Sequence, residues 1–215
     1  MKGDKLIIHK GHLRASKLIC NIIIPEILKT ENKYIITIAG ESGSGKSEIS
    51  ESLFQLLSEK NIKSFIFQQD DYFVYPPQTN AEIRRKNIDH VGLSEVNLAL
   101  LDQHLNSIFQ KKNEIDKPLV IFDEDRISNE IVHFNEIKVI IVEGTYTTTL
   151  QNVSKHIFID RTYIDTRESR KKRARETQND FLEKILKIEH KIISSQKIFA
   201  DLIVTNDYNV IENKI

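Results

Sequence analysis

The sequence predicts an α/β fold in which helices cover both faces of a parallel sheet. Short β-branched runs alternate with segments of helical period along the chain. Residues 34–38 form a compact β-branched run, which is typical of a strand buried on both faces. A glycine-rich turn joins this run to an amphipathic segment, so we expect the functional site where the strands end.

Composition favours one globular domain with no long-range electrostatic attraction for a polyanion. The chain has 215 residues, and 40% of them are apolar, which is enough for a core. The 31 basic and 31 acidic residues leave a formal net charge of zero. We therefore expect no nucleic-acid or membrane partner, and any bound anion must be held by a local site.

The N-terminal region lacks the pattern of a secretion signal. Its apolar residues 6–8 are followed at once by His9 and Lys10, and no stretch approaches the roughly 18 apolar residues of a membrane span. The single cysteine, Cys20, excludes an internal disulfide and fits a cytoplasmic location. We expect an N-terminal extension over residues 1–33 and one domain over 34–215, and the oligomeric state stays open, a homo-oligomer included.

Apolar spacing predicts the elements of the first seventy residues. Ile49, Leu53 and Leu57 recur at helical spacing, which predicts a helix from Lys46 to about Lys60. A helix over 16–24 should end near Pro25, because proline disrupts a helix interior. The strands predicted here are 6–8, 34–38 and 65–67.

The second half of the chain continues the alternation. Ser94 is the expected N-cap of a helix that extends to Ile108. A charged helix from Asp165 to about Glu176 precedes a long helix striped by apolar residues from 181 to 192. The strands predicted here are 119–122, 139–142, 157–159 and 201–204.

The segment Gly40–Ser47 has the pattern G-x-x-x-x-G-K-S, with a predicted strand before it and a helix after it. Its glycines allow backbone N–H groups to converge on phosphate oxygens, and the helix N-terminus adds partial positive charge. Lys46 should reach the β- and γ-phosphates, and Ser47 should ligate Mg²⁺. A chance glycine-rich turn is the alternative, but the context favours nucleoside triphosphate binding. The predicted nucleotide-binding residues are Gly40, Ser42, Gly43, Ser44, Gly45, Lys46 and Ser47.

A second carboxylate is expected to complete the magnesium site. The apolar strand 139–142 ends in Glu143, which places an acid at the sheet edge that carries the phosphate loop. The alternative is an ordinary acid at a strand-end turn. We favour the metal ligand.

Asp70 and Asp71 follow the second strand and should lie at the same edge. Transfer of a phosphoryl group to a hydroxyl is helped by a carboxylate that orients the hydroxyl and accepts its proton. Capping of a turn is the alternative for this pair. We favour substrate contact for both residues and the role of base for Asp70.

Basic residues crowd the predicted charged helix. Arg170 and Arg173 are three positions apart and share a face, so they could close over the transferring phosphate in a lid at about 165–180. The alternative is a solvated helix balanced by Glu168 and Glu176. The basic residues are Arg167, Arg170, Lys171, Lys172, Arg173 and Arg175.

Several motifs together resemble the uridine kinase/phosphoribulokinase family over about residues 34–207. They occur in the order seen in that family, and the Gln-Asp-Asp-aromatic and Asn-x-Asp-His blocks are its specific signals. The matching segments are Gly40–Ser47, Gln69–Phe73, Asn87–His90, Val139–Gly144 and Ala200–Val204.

This resemblance implies a P-loop kinase fold with a five-stranded parallel sheet and a helical lid. It also implies transfer of phosphate from ATP, with Mg²⁺, to a hydroxyl of a small nucleoside-like or sugar-like acceptor. Asp70 matches the family's acid at that hydroxyl, and Tyr72 and Phe73 match aromatics near the acceptor. Asp89 and His90 match its acceptor-pocket segment, where a capped loop is the alternative.

Two departures from the uridine kinase pattern mean that the resemblance does not identify the acceptor. Val91-Gly92 follows Asn-x-Asp-His where uridine kinases usually have proline. The segment Phe122–Arg126 replaces their Tyr-Asp-Phe segment, and it makes Arg126 the candidate substrate-binding arginine. The alternative function is a regulatory module that binds ATP or GTP without a metabolite acceptor, and a polynucleotide 5′-kinase ranks below both because the chain has no net positive charge.

Overall fold

A six-stranded sheet lies at the centre of the computed structural model, which describes residues 6–173 and 179–214 and, for Arg173, the backbone alone. A separate two-stranded hairpin packs beside it. The strands are β1 (Tyr34–Gly40), β2 (Ser64–Gln68), β3 (Glu114–Ile121), β4 (Arg126–His133), β5 (Val139–Gly144), β6 (Lys155–Ile159), β7 (Leu202–Val204) and β8 (Val210–Glu212).

Helices occupy both faces of the sheet. In the part of the chain that the structure describes, no helix is long and apolar enough to cross a membrane. The helices are α1 (Lys10–Lys29), α2 (Lys46–Glu59), α3 (Pro77–Lys86), α4 (Leu98–Phe109), α5 (Arg167–Arg173) and α6 (Asp180–Gln196).

The strand order is β2-β5-β1-β6-β7-β8, with the first five strands parallel and β8 antiparallel. This order confirms the predicted parallel five-stranded sheet. β8 was not predicted, because its three residues at the sheet edge are half-buried or exposed and form no long apolar run.

Alternating side chains of β1 divide the core into two layers. Ile36 and Ile38 pack with α1 and α2, whereas Ile35 and Ala39 pack with α4 and α6 on the other face. All seven residues of β1 are buried. The predicted cover of helices on both faces is therefore confirmed.

The predicted strand at 119–122 does not join the central sheet. It is the end of β3, which pairs antiparallel with β4 from Glu114↔His133 to Ile121↔Arg126. Buried Ile115 alternates with exposed Glu114 and Asp116, as in a strand with one face in solvent. The short apolar run at the end of β3 resembled a buried strand, and for that reason the prediction was wrong.

The N-terminal helix is longer than predicted. It continues through Pro25 to Lys29, because Ile23 and Ile27 on either side of the proline are buried in the core with α2. This burial outweighs the backbone hydrogen bond that proline removes. Residues 6–8 form no strand. The domain boundary after residue 33 stays a prediction, although α1 shares its core with α2.

Asn97, and not Ser94, caps α4. The side chain of Asn97 accepts a hydrogen bond from the backbone N–H of Leu100 at 3.0 Å. Ser94 lies three residues earlier in a 3-10 turn and donates to the carbonyl of His90 at 3.0 Å. The predicted cap was wrong because this extra turn separates Ser94 from the helix.

His12 of α1 supports the start of α2. It is buried, and a Cβ added at Gly45 would lie 2.7 Å from its Nε2 atom. Desolvation, with smaller contributions from His9 and Arg161, lowers its pKa to about 3. The unfolded chain therefore takes up a proton on His12 near pH 6.5, and the folded chain does not.

His12→Gln is expected to make unfolding less sensitive to acid. The stabilising effect of a lowered histidine pKa is complete above the unfolded pKa and is lost as the pH falls towards the folded value. Between pH 7.5 and 5.0, wild type should lose about 1–2 kcal/mol more unfolding free energy than the variant in urea titrations. The control is His133→Gln, at an exposed histidine. An equal loss of unfolding free energy in wild type and His12→Gln would contradict the lowered pKa of His12.

Candidate active site

The phosphate loop is built on glycine geometry. Gly40 ends β1, and Gly45 is the N-cap of α2 with φ of 104°, a left-handed conformation that favours glycine. Gly43 is also left-handed, with φ of 76°. A Cβ added at Gly40 would lie 2.8 Å from Ser44 Oγ, so the loop also closes too tightly there for a side chain.

Sheet register brings the predicted acids to this loop. Glu143 at the end of β5 pairs with Ile38 of β1 on one side and with Gln68 of β2 on the other. Gly40 lies two residues beyond Ile38, and Asp70 lies two residues beyond Gln68. Parallel pairing therefore places the loop, Glu143 and Asp70 at one edge of the sheet.

Glu143 faces the first turn of α2. Ser47 Oγ donates to Glu143 Oε1 at 3.1 Å, and the glutamate is buried. Desolvation and the charge of Asp70 raise the pKa of Glu143, against the opposing effects of Lys46 and Ser47. A cation beside this carboxylate would favour its charged form and so oppose this rise in pKa.

The residues fit a magnesium-bound triphosphate. The hydroxyl of Ser47 and the carboxylate of Glu143 are the hard oxygen donors that Mg²⁺ prefers. Ser44 Oγ is buried and has no hydrogen-bond partner among the described residues. The loop thus contains a polar group that a phosphate oxygen could satisfy.

Gly144 is required by close packing. A Cβ added there would lie 2.2 Å from the Cβ of Gln69. Gln69 Oε1 in turn accepts from the backbone N–H of Tyr146 at 2.7 Å. This contact fixes the turn after β2 that carries Asp70.

A cavity of about 380 Å³ joins the loop to the helical layer. Asp70 lines it together with one group of residues from the phosphate loop and the end of β5: Ser42, Gly43, Lys46, Ser47, Glu143 and Thr145. A second group, which we call the acceptor wall, comes from residues 73–84, Phe122 and α6: Phe73, Tyr75, Pro77, Gln78, Asn80, Ala81, Arg84, Phe122, Leu182, Ile185, Leu186 and Glu189.

Asp71 points to the hairpin and does not belong to the described cavity lining. It is buried, and it pairs with Lys117 Nζ at 3.0 Å and accepts from the backbone N–H of Val120 at 3.1 Å. Successive residues of a 3-10 turn point about 120° apart, so Asp70 faces the cavity while Asp71 anchors β3. Asp71 therefore forms a structural ion pair with Lys117, and its contact with a substrate stays a prediction.

Lys117→Met is expected to destabilise the fold. The change leaves the Asp71 carboxylate buried beside an apolar side chain, and loss of one partner of a buried pair costs about 3 kcal/mol. Guanidinium unfolding should show this loss, whereas exposed Lys112→Met should leave the unfolding free energy almost unchanged. A loss below about 1 kcal/mol, the range of a surface pair, would show that the pair contributes little.

Tyr72 and Arg126 also lie outside the described cavity lining. Tyr72 is buried in the core, with its hydroxyl 2.8 Å from His104 Nδ1. Arg126 is exposed at the start of β4 and pairs with Glu124 at 2.7 Å. One aromatic of the motif thus fills the core, and the hairpin carries the arginine. Contact of Tyr72 or Arg126 with a substrate stays a prediction.

The Asn-x-Asp-His segment borders the acceptor wall through His90. Its Nε2 lies 3.0 Å from Asn80 Oδ1, and its ring is 5.8 Å from that of Tyr75. Asp89 is exposed in a turn that is capped by Asn87, which is the capped loop named above as the alternative. Contact of Asp89 or His90 with an acceptor stays a prediction.

The base of the predicted lid is bonded to the phosphate loop. Arg170 is buried, and its Nη1 donates to Thr166 Oγ1 at 2.7 Å, while Thr166 Oγ1 donates to the carbonyl of Ser42 at 2.8 Å. Contact of Arg170 with the transferring phosphate stays a prediction. The side chain of Arg173 and residues 174–178 lie outside the described residues.

Glu41 is a site residue that the motif pattern missed. Its carboxylate accepts from Tyr163 N–H at 2.6 Å and pairs with His190 Nδ1 of α6 at 2.7 Å, while its carbonyl accepts from Lys46 Nζ at 3.0 Å. It thus links the loop to the lid base and to α6. Position 41 is a variable position of the motif, so the motif itself gave no signal for this residue.

The chain matches one family model and several curated proteins. The sequence model of the "Phosphoribulokinase / Uridine kinase family" matches residues 35–184. The chain is 28% identical over 190 residues to a uridine kinase of Lactobacillus helveticus, covering 82% of this chain and 88% of that protein. It is 26% identical over 196 residues to a bifunctional alpha-galactosidase/sucrose kinase of Mediterraneibacter gnavus, covering 85% of this chain but 21% of that protein.

Solved structures share the fold at low identity. A structure described as a possible uridine kinase from Bacillus stearothermophilus has a TM-score of 0.65 and 18% identity, covering 88% of this chain and 96% of that one. Phosphoribulokinase from Rhodobacter spheroides has a TM-score of 0.62 and 12% identity, covering 82% and 71%. The family match over residues 35–184, together with the loop and its acids, shows that the chain belongs to the phosphoribulokinase/uridine kinase family of small-molecule kinases.

Proposed function

We propose that the protein transfers the γ-phosphate of Mg·ATP to a hydroxyl of a small nucleoside-like or sugar-like metabolite. One observation carries the proposal: the phosphate loop, Glu143, Asp70 and the acceptor wall line a single cavity. A kinase must hold its two substrates in contact, and a cavity bordered by both the phosphate loop and the acceptor wall supports this arrangement. The acceptor class agrees with relatives described as uridine and sucrose kinases.

The donor side is held by the loop. Its backbone N–H groups and Lys46 bind the phosphates, and the start of α2 adds partial positive charge. Ser47 and Glu143, already 3.1 Å apart, would hold the magnesium ion. When bound, that ion neutralises negative charge on the phosphates.

Asp70 orients the acceptor hydroxyl and takes its proton. The hydroxyl oxygen bonds to the γ-phosphorus while the bond from that phosphorus to the bridging oxygen breaks, and ADP leaves with the electron pair. The proton moves to an Asp70 carboxylate oxygen and then to solvent. Asp70 is only partly exposed, and it shares the cavity lining with the apolar side chains of Phe73 and Leu182.

An acceptor screen tests the proposal. Nucleosides, monosaccharides, disaccharides and polyols are incubated with Mg·ATP, and ADP release is scored against Lys46→Ala protein as the blank. We expect release that requires one acceptor class and magnesium, with a phosphomonoester product in the ³¹P NMR spectrum. Release that ignores the acceptor, or that persists in the blank, would refute the proposed function.

A further inference from the structure

The tip of the β3–β4 hairpin is bonded to the start of α3. Asp125 Oδ1 accepts from the backbone N–H of Gln78 at 2.7 Å, and Asp125 Oδ2 accepts from the backbone N–H of Thr79 at 3.1 Å. The Thr79 hydroxyl donates to the same Oδ2 at 2.7 Å. We call these three hydrogen bonds the Asp125 latch.

The Asp125 latch replaces a helix cap that α3 cannot supply for itself. The first N–H groups of a helix have no partner within it, and the side chain of the preceding residue often binds them. In α3 the preceding residue is Pro76, whose side chain has no hydrogen-bond acceptor. Gln78 and Thr79 are capped instead by Asp125, which lies 47 positions after Gln78. The start of α3 therefore depends on the position of the hairpin tip.

Charge strengthens the Asp125 latch. Desolvation would raise the pKa of Asp125, but the hydrogen bonds from Thr79 and Gln78 lower it instead. The carboxylate is therefore ionised at neutral pH, where it lies beside the partial positive charge of the α3 N-terminus. Hydrogen bonds from backbone N–H groups to a carboxylate are stronger than those between neutral groups.

The same hairpin is also fixed to the turn that carries Asp70. Asp71 in that turn pairs with Lys117 of β3 at 3.0 Å and accepts from the backbone N–H of Val120 at 3.1 Å. The hairpin thus connects the turn of the proposed base with the helix that forms part of the acceptor wall. The Asp125 latch is the α3 end of this connection.

Two parts of the acceptor wall meet at the Asp125 latch. Phe122, at the hairpin tip, lines the cavity, and so do Pro77 and Gln78 at the start of α3. Phe122 is 39% exposed, so it lies on the solvent side of the wall. Loss of the latch would release the tip from α3 and allow the wall to widen there.

We propose that Asp125 is a positioning residue for the acceptor, because its latch holds the hairpin tip and α3 in the arrangement that binds the acceptor. This role rests on the proposed function. Asp125 does not belong to the described cavity lining, so it acts through Phe122 and the first turn of α3. Its loss should weaken acceptor binding and leave the nucleotide site, which is built from other parts of the chain, unchanged.

Amide hydrogen exchange tests the latch without any acceptor. NMR exchange rates of the Gln78 and Thr79 amides are compared in wild type, Asp125→Ala and the control Asp123→Ala, which changes an exposed aspartate of the same tip. Asp125→Ala should speed the exchange of both amides by about tenfold, because they lose their hydrogen-bond acceptor. Asp123→Ala should keep the wild-type rates. Equal rates in all three proteins would overturn the inference.

Steady-state kinetics test the role in acceptor binding. The probe is the nucleoside, saccharide or polyol that gives the highest turnover in the acceptor screen. Asp125→Ala should raise the acceptor KM by roughly tenfold and keep kcat and the KM for Mg·ATP within about threefold of wild type. A change that only reduced the folded fraction would lower kcat and leave KM unchanged. Asp125→Asn keeps one acceptor oxygen and should restore part of the lost affinity.

Thr79→Ala tests the latch from the side of α3. The Thr79 side chain donates to Asp125 and does not belong to the described cavity lining. Thr79→Ala should raise the acceptor KM by about two- to threefold in wild type and should have no further effect in Asp125→Ala protein. Additive effects of the two changes would show that they do not act through one contact, and would overturn the inference.

An unchanged acceptor KM in Asp125→Ala, or a fall in kcat alone, would also overturn the inference. Failure of the proposed function gives a different result: ADP release would be independent of every acceptor or unaffected by Lys46→Ala. The role of Asp125 in acceptor binding would then fail as well, while amide exchange would still report whether the latch forms. Urea unfolding midpoints verify that every variant is folded.

Discussion

Replacing Asp70 by asparagine is expected to lower kcat by roughly 10²–10⁴-fold, the usual contribution of a positioned general base. Asp70 lines the cavity and is close enough to Glu143 for its charge to help raise that residue's pKa. Asparagine can still orient a hydroxyl but cannot take its proton. Nucleotide affinity should stay within about threefold of wild type, because the loop and Ser47 are untouched.

The measurement pairs single-turnover rates with calorimetric binding of a non-hydrolysable ATP analogue and magnesium. Exposed Asp123→Asn is the matched control for loss of one carboxylate, and it should keep wild-type rates. In a regulatory nucleotide-binding module, Asp70→Asn should change neither the single-turnover rate nor the nucleotide affinity. Retention of a third or more of the wild-type rate would therefore remove Asp70 from the chemistry.

Lys46→Ala is expected to lower kcat/KM by roughly 10²–10³-fold, the range seen when one preorganised electrostatic donor is removed. Lys46 lies in the first turn of α2 and lines the cavity beside Ser47 and Glu143. It is the basic side chain that the motif directs at the β- and γ-phosphates. Its loss should weaken nucleotide binding as well as turnover, unlike the loss of Asp70.

The matched control is Lys60→Ala, an exposed lysine at the other end of α2. Both proteins should unfold at nearly the same denaturant concentration, since neither change opens a cavity in the core. ATP analogue affinity and ADP release are then compared at equal magnesium. Equal turnover in Lys46→Ala and wild type would overturn the phosphate-loop mechanism.

The donor side of the site was predictable because its signals are local. A phosphate loop needs glycines, a lysine and a hydroxyl within eight consecutive residues, and the strand before it is a compact β-branched run. Glu143 follows the same logic, since it ends a buried strand. Parallel pairing then brings separate strand ends together without any further information.

The acceptor side was only partly predictable, because sequence does not show where neighbouring side chains point. Asp70 and Asp71 are adjacent and chemically identical, yet one lines the cavity and the other binds Lys117. That choice is made by a hairpin that begins more than forty residues later. Arg84 and Glu189 are more than a hundred residues apart, so their pairing has no local pattern.

Secondary-structure errors had a common cause, which was burial supplied by distant parts of the chain. Pro25 disfavours a helix locally, but Ile23 and Ile27 are buried and carry α1 past it. The run 119–122 is apolar enough for a central strand, but it pairs antiparallel with β4 instead. Local propensity decided neither case.

Two consecutive residues of α6 contact two different parts of the site. Glu189 meets Arg84 on the acceptor wall, and His190 meets Glu41 of the phosphate loop. Neighbours on a helix point about 100° apart, so inserting or deleting one residue ahead of them would swing both away together. A change of register in α6 would therefore remove both contacts at once. A chimaera that takes α6 from a relative needs residues that can pair with both Arg84 and Glu41.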